Sequence, residues 1–149
     1  MNTLVQINDQ IVARHPYGYT SFHCDLTRYL KYDSENLIRV TVNNNAAPNS
    51  RWYSGSGIYR HVWLMVADKI HIAPWGVYAT TPKVSAQSSA VSIKTLIENN
   101  VKTTADITVR SALFTHCGDQ VTFCESEINI HSDGKTEAAQ TLKVSQSNL

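Results

Sequence analysis

Residues 49–64, Asn-Ser-Arg-Trp-Tyr-Ser-Gly-Ser-Gly-Ile-Tyr-Arg-His-Val-Trp-Leu, concentrate the groups best suited to touching a ligand in this 149-residue chain. Arg51 and Arg60 carry guanidinium forks, and Trp52, Tyr53 and Tyr59 carry flat apolar rings with a polar edge. Gly55 and Gly57 by themselves supply the permissive backbone of a turn, so the arginines and aromatic rings are more than a turn needs. They cover or touch something large. One reading makes them ligand contacts; the other has Trp52 and Tyr59 capping the end of a core while Arg51 and Arg60 stay solvated.

The remaining reactive types are placed less favourably. Glu125 and Glu127 stand two apart on an expected strand, about 7 Å from each other on one face, close to the spacing of two-carboxylate hydrolysis. Their neighbours are polar and no loop forms a cleft, so a solvated strand face is the simpler reading. The six histidines, His15, His23, His61 and His71 among them, lack the i,i+2 or i,i+4 spacing of a ligand pair, and no metal site is expected. Ser54 and Ser56 each precede a glycine, but a nucleophile elbow needs strand, turn and helix, and here an apolar strand is expected after the serines. Three cysteines without Cys-x-x-Cys spacing give no zinc site. Cys24 reads as a core residue. Cys117 and Cys124 either pair across a hairpin around Gly118-Asp119 or stay as two small buried thiols.

What positions these residues is β-structure throughout. Leu4, Val5 and Ile7 lead into a tight turn at Asn8-Asp9, and Ile11, Val12 and Ala13 lead out; a positive φ is less comfortable at Asp9 than at a glycine, although Asn and Asp tolerate it, and that would loosen the turn. The alternation of Phe22 and Cys24 with Ser21 and His23 predicts a strand over 20–25, and Asp25 opens at most a turn or two of helix. Residues 33–36 turn the chain, and Ile38, Val40 and Val42 mark a half-buried strand. A long polar loop over 43–50 delivers Arg51 and Trp52, and the apolar run 58–66 predicts a buried strand. Residues 70–72 form a short strand broken by Pro74-Trp75-Gly76. Strands then recur over 77–84, 91–97, 105–114, 121–130 and 138–144, with Val91, Ile93, Ile97, Ile107, Val109 and Leu113 inward, in the manner of an antiparallel sandwich.

Composition restricts the function further. With 42% hydrophobic residues the chain can bury one core or two small ones. A net charge of +1, without a basic run, makes nucleic acid and anionic membranes poor partners. No apolar stretch approaches the roughly 20 residues needed to cross a bilayer, and the first residues lack a charged region followed by an apolar one.

The stretch Arg51 to Leu64 resembles the signature that closes the sugar-binding domain of glycoside hydrolase family 2, in its β-galactosidase branch. Pro16-Tyr17-Gly18-Tyr19-Thr20-Ser21-Phe22 with Asp25-Leu26-Thr27 resembles the family before it, and Trp75-Gly76-Val77-Tyr78-Ala79-Thr80-Thr81-Pro82 after it, in the same order. The resemblance implies the C-terminal portion of a jelly roll over 1–70 and an immunoglobulin-like sandwich over 71–149, with strands missing from each. It also implies a catalytic barrel elsewhere, so this chain would hold no catalytic residue and need no cofactor. In such a parent the loop over 43–60 would flank the active site, with Arg51 and Trp52, and less strongly Asn49, near the carbohydrate. A free-standing carbohydrate-binding or adhesion module is the alternative. Unpaired strand edges predict self-association.

Overall fold

The computed structural model describes residues 2–45 and 55–145. It is all-β apart from one 3₁₀ turn, Thr27–Tyr29, and the chain divides into two compact units, Met1–Leu64 and Met65–Leu149.

In the first unit β1 (Asn2–Ile7) lies between β2 (Gln10–His15) and β3 (Ile38–Asn43), antiparallel to both. Ile7 faces Gln10 in the ladder, so Asn8 and Asp9 alone make the hairpin loop. Both adopt positive φ, 50° and 65°, the backbone that matches the twist of paired strands. The turn is therefore tight, as the Asn-Asp pair predicts, and is not loosened at Asp9. Asn8 anchors it: its Nδ2 donates to Tyr29 O (3.1 Å) and to Asn36 Oδ1 (2.9 Å), while its Oδ1 accepts from Leu37 N (3.1 Å). Asn36 in turn accepts from Lys31 N and donates to Lys31 O, each at 2.8 Å, so two amide side chains tie the hairpin tip to the 31–37 turn.

Two expected strands do not form. Residues 20–25 lie outside any ladder; Phe22 stacks on His15 instead, ring centroids 4.5 Å apart, and Asp25 Oδ1 accepts from Thr27 N at 2.8 Å to start the 3₁₀ turn. Residues 58–66 are likewise outside any sheet and exposed, Val66 to 89%. An apolar run becomes a strand only where a neighbour supplies backbone donors and acceptors. Among the described residues none does so for this run.

The second unit holds β4 (Ile70–Lys83), β5 (Ser88–Asn99), β6 (Ala105–Phe114), β7 (Gln120–Ile130) and β8 (Gly134–Ser145). β4, β5 and β8 form one antiparallel sheet in that order, and β6 pairs with β7 in another. Alternation puts Ile93, Ile97, Ala138 and Leu142 on the buried face. Ile97, Ile130 and Ala138 form the centre of the core, against Ile70, Ala105, Ile107, Val109 and Ile128 drawn from both sheets. Each such aliphatic side chain contributes about 1.5–3 kcal/mol when fully buried.

Two buried amides join the layers. Gln140 on β8, 4% exposed, donates through Nε2 to Val109 O on β6 (2.9 Å) and to Ser126 Oγ on β7 (3.0 Å), and its Oε1 accepts from Ser111 Oγ (2.6 Å). Asn99, fully buried at the end of β5, accepts from Val101 N (2.8 Å) and donates to Thr103 O (2.9 Å) and His131 O (3.0 Å).

The expected break at Pro74-Trp75-Gly76 is an excursion within one continuous strand. Ile72 pairs with Ile97 and Val77 with Thr95, so residues 73–76 stand opposite Leu96 alone. Trp75 takes φ 55°, and a Cβ on Gly76 would lie 2.7 Å from Ala73 O and 2.8 Å from Leu96 O. Only glycine fits that approach.

Candidate functional site

The chemistry-bearing loop begins where β3 ends. Asn43 Oδ1 accepts from Asn45 N at 2.9 Å, a short side-chain turn that stops the strand. Asn44 Nδ2 then donates to Gly55 O at 3.3 Å, joining the chain on either side of 45–54. A shallow polar cavity of about 450 Å³ opens there, lined by Thr41, Val42, Asn43, Asn44, Asn45 and Ser56. Arg51, Trp52 and Asn49 lie outside the described residues.

Past this bond, Gly57 adopts φ 125° with nothing near its missing Cβ, so its role is conformational. Tyr59 is exposed and caps no core, and the Arg60 guanidinium carbon sits 5.3 Å from its ring centroid. Arg60 is thus solvated but ring-stacked. His61 and Trp63 come next, with ring centroids 5.6 Å apart. Alternate aromatic and basic groups therefore line an exposed segment.

Glu125 and Glu127 share the open face of β7, where Glu125 Oε1 lies 3.7 Å from Arg110 Nε across the ladder. No wall encloses them. Ser56 is exposed, and the residues after it form neither a helix nor the expected strand. All three cysteines are free. Cys117 is exposed at the β6–β7 hairpin tip, its Sγ 3.2 Å from His116 Nε2, and Cys124 is half-buried. The pair is thus neither a disulfide nor two buried thiols. Cys24 is half-buried rather than central to a core; burial first, and the charge of Asp25 second, push its thiol pKa up. No group of three or more histidines, cysteines or acids among the described residues could hold a metal ion.

His71, read only as an isolated histidine, belongs to a row across the three-stranded sheet. Its Nδ1 is 2.8 Å from Asp68 O, its Nε2 is 3.9 Å from Glu98, and Glu98 also pairs with Lys135. The row is the direct cross-strand register His71, Glu98, Lys135, a signal that needed the pairing to be known.

No family model matches the chain. Over all 149 residues it is 40% identical to the β-galactosidase BoGH2A of Bacteroides ovatus, of which it spans 18%. The crystal structure of a glycosyl hydrolase family 2 member from Bacteroides cellulosilyticus superposes on the whole chain with a TM-score of 0.95 and 36% identity, the chain spanning 20% of it. A β-glucuronidase structure from glycoside hydrolase family 2 matches 99% of the chain at TM-score 0.95 and 26% identity, with 18% of that protein spanned. The chain thus spans about one fifth of the length of these relatives. An all-β fold, the three ordered motifs and end-to-end likeness at this coverage place it in glycoside hydrolase family 2, matching about one fifth of β-galactosidase- and β-glucuronidase-like proteins.

Proposed function

We propose that the whole protein hydrolyses O-glycosyl bonds, and that this chain supplies accessory β-layers, a partial jelly roll and an immunoglobulin-like sandwich, beside a catalytic barrel. The likeness to BoGH2A from end to end of the chain supports this best. The segment 43–60 flanks the active site in this reading. Arg51 would grip sugar hydroxyls or a catalytic carboxylate with two parallel N–H bonds, Trp52 would stack on a pyranose face, and Asn49 would add a weaker contact. Such contacts orient the sugar without carrying out the chemistry.

The isolated chain should therefore release no chromophore from a chromogenic galactoside, since the paired carboxylates of glycoside hydrolysis come from elsewhere. Turnover above the buffer rate refutes the assignment. Calorimetric titration with lactose separates the alternative of a free-standing carbohydrate-binding module, which requires affinity of about 1 mM or better; the accessory reading requires none in isolation.

The same reading makes the isolated chain self-associate. β2 and β3 each present an outer edge in the first unit, and open edges pair with other chains. Light scattering is expected to show mass rising with concentration. A constant monomer mass up to high concentration counts against it.

A further inference from the structure

The Ala73 to Gly76 excursion is the least economical feature of the second unit. A bulky residue in the left-handed region costs about 1–3 kcal/mol, yet Trp75 holds φ 55° there. Gly76, lacking a Cβ, permits the close approach of two backbone carbonyls that the excursion needs. The result carries a large indole out of the strand, 69% exposed. The surface beside it is apolar as well. Ile72 and Val77, opposite the buried Ile97 and Thr95 and so on the core side of the sheet, keep about half their surface exposed. Strain that presents an aromatic residue beside uncovered aliphatic groups is the arrangement of a docking anchor.

The geometry points to Trp75 as the anchor by which this unit fastens to the portion of the glycosidase polypeptide outside residues 1–149. The occupant is an apolar pocket on that portion. Relatives such as BoGH2A contain more than four fifths of their length beyond the region matched here, which is where the covering surface resides. This rests on the reading of the chain as part of a larger glycosidase.

The test uses the full-length polypeptide and the isolated chain, both labelled with 5-fluorotryptophan. The three tryptophans of the isolated chain give three fluorine signals, and Trp75→Phe assigns the relevant one in either protein. In the isolated chain, kept dilute, the soluble radical TEMPOL broadens the Trp75 signal; in the full-length protein the broadening is lost. Trp75→Gly removes the strain, so the isolated chain keeps its β-sheet circular dichroism. In the full-length protein the same substitution raises the rate of proteolytic release of this region about thirty-fold, the change equivalent to an anchor of about 2 kcal/mol. Equal broadening in both proteins, or an unchanged release rate, overturns the proposal. So does protection of the isolated chain by raised concentration or by added lactose, which would assign the knob to a second copy or to a sugar. Glycosidase activity of the same full-length preparation reports separately on the parent reading.

Discussion

Replacing Asn99 by alanine is expected to destabilise the second unit by about 3 kcal/mol, close to the upper end of single-substitution effects. Its side chain is fully buried and uses both its carbonyl oxygen and its NH2 group: Oδ1 on Val101 N, Nδ2 on Thr103 O and His131 O, with Ile130 O a longer third contact at 3.4 Å. These bonds close the 100–104 turn and hold the end of β7 against β5. A typical bond is worth about 1 kcal/mol net, and each buried group left without a partner costs about 1–3 kcal/mol. Asn99→Asp keeps the acceptor, loses both donors and faces carbonyl oxygens with a carboxylate, so it should be no milder than alanine. Urea unfolding followed through amide exchange of β5 reads the change as a lower midpoint at unchanged slope. A loss below about 1 kcal/mol would mean that the carbonyls find other partners.

The second large effect belongs to Gln140. Gln140→Leu keeps the volume but removes the amide that meets Ser111 Oγ, Val109 O and Ser126 Oγ, and, at 3.4 Å, Cys124 O. The expected loss is about 2 kcal/mol, because two hydroxyls and a carbonyl lose their partner in a partly buried layer. The double variant Gln140→Leu with Ser111→Ala should regain part of it, since removing both partners is milder than removing one. Strictly additive losses in that cycle would show that the Ser111 to Gln140 bond, 2.6 Å in length, carries no coupling.

Strands β5 to β8 of the second unit were legible because each alternates over most of its length. Ala105, Ile107 and Val109 are partly buried while Asp106, Thr108 and Arg110 are exposed, and turn-forming residues separate the runs. The same parity puts Thr95, Asn99 and Gln140 inward, although their chemistry reads as outward; position outweighs residue type once partners exist. Residues 58–66 failed for the opposite reason. Their composition signals burial, but a strand also needs a neighbour, and no residue within the run encodes one. Pro74, Trp75 and Gly76 read as punctuation, since Pro and Gly mark breaks, while the ladder resuming beyond them depends on β5. The chemistry of Arg51, Trp52 and Asn49 was legible only as residue types at loop spacing and through family resemblance, and their proposed role still rests on those two grounds.

Aliphatic packing between the two layers is nearly indifferent to a slide of β8 by two residues, because Ala138 and Leu142 would still point inward and meet other aliphatic side chains. Gln140 is not indifferent. Such a slide, about 7 Å of strand, would carry its amide away from Ser111, Val109 and Ser126 together. One polar side chain thus acts as an index pin, converting a greasy contact that tolerates many alignments into one that admits a single alignment.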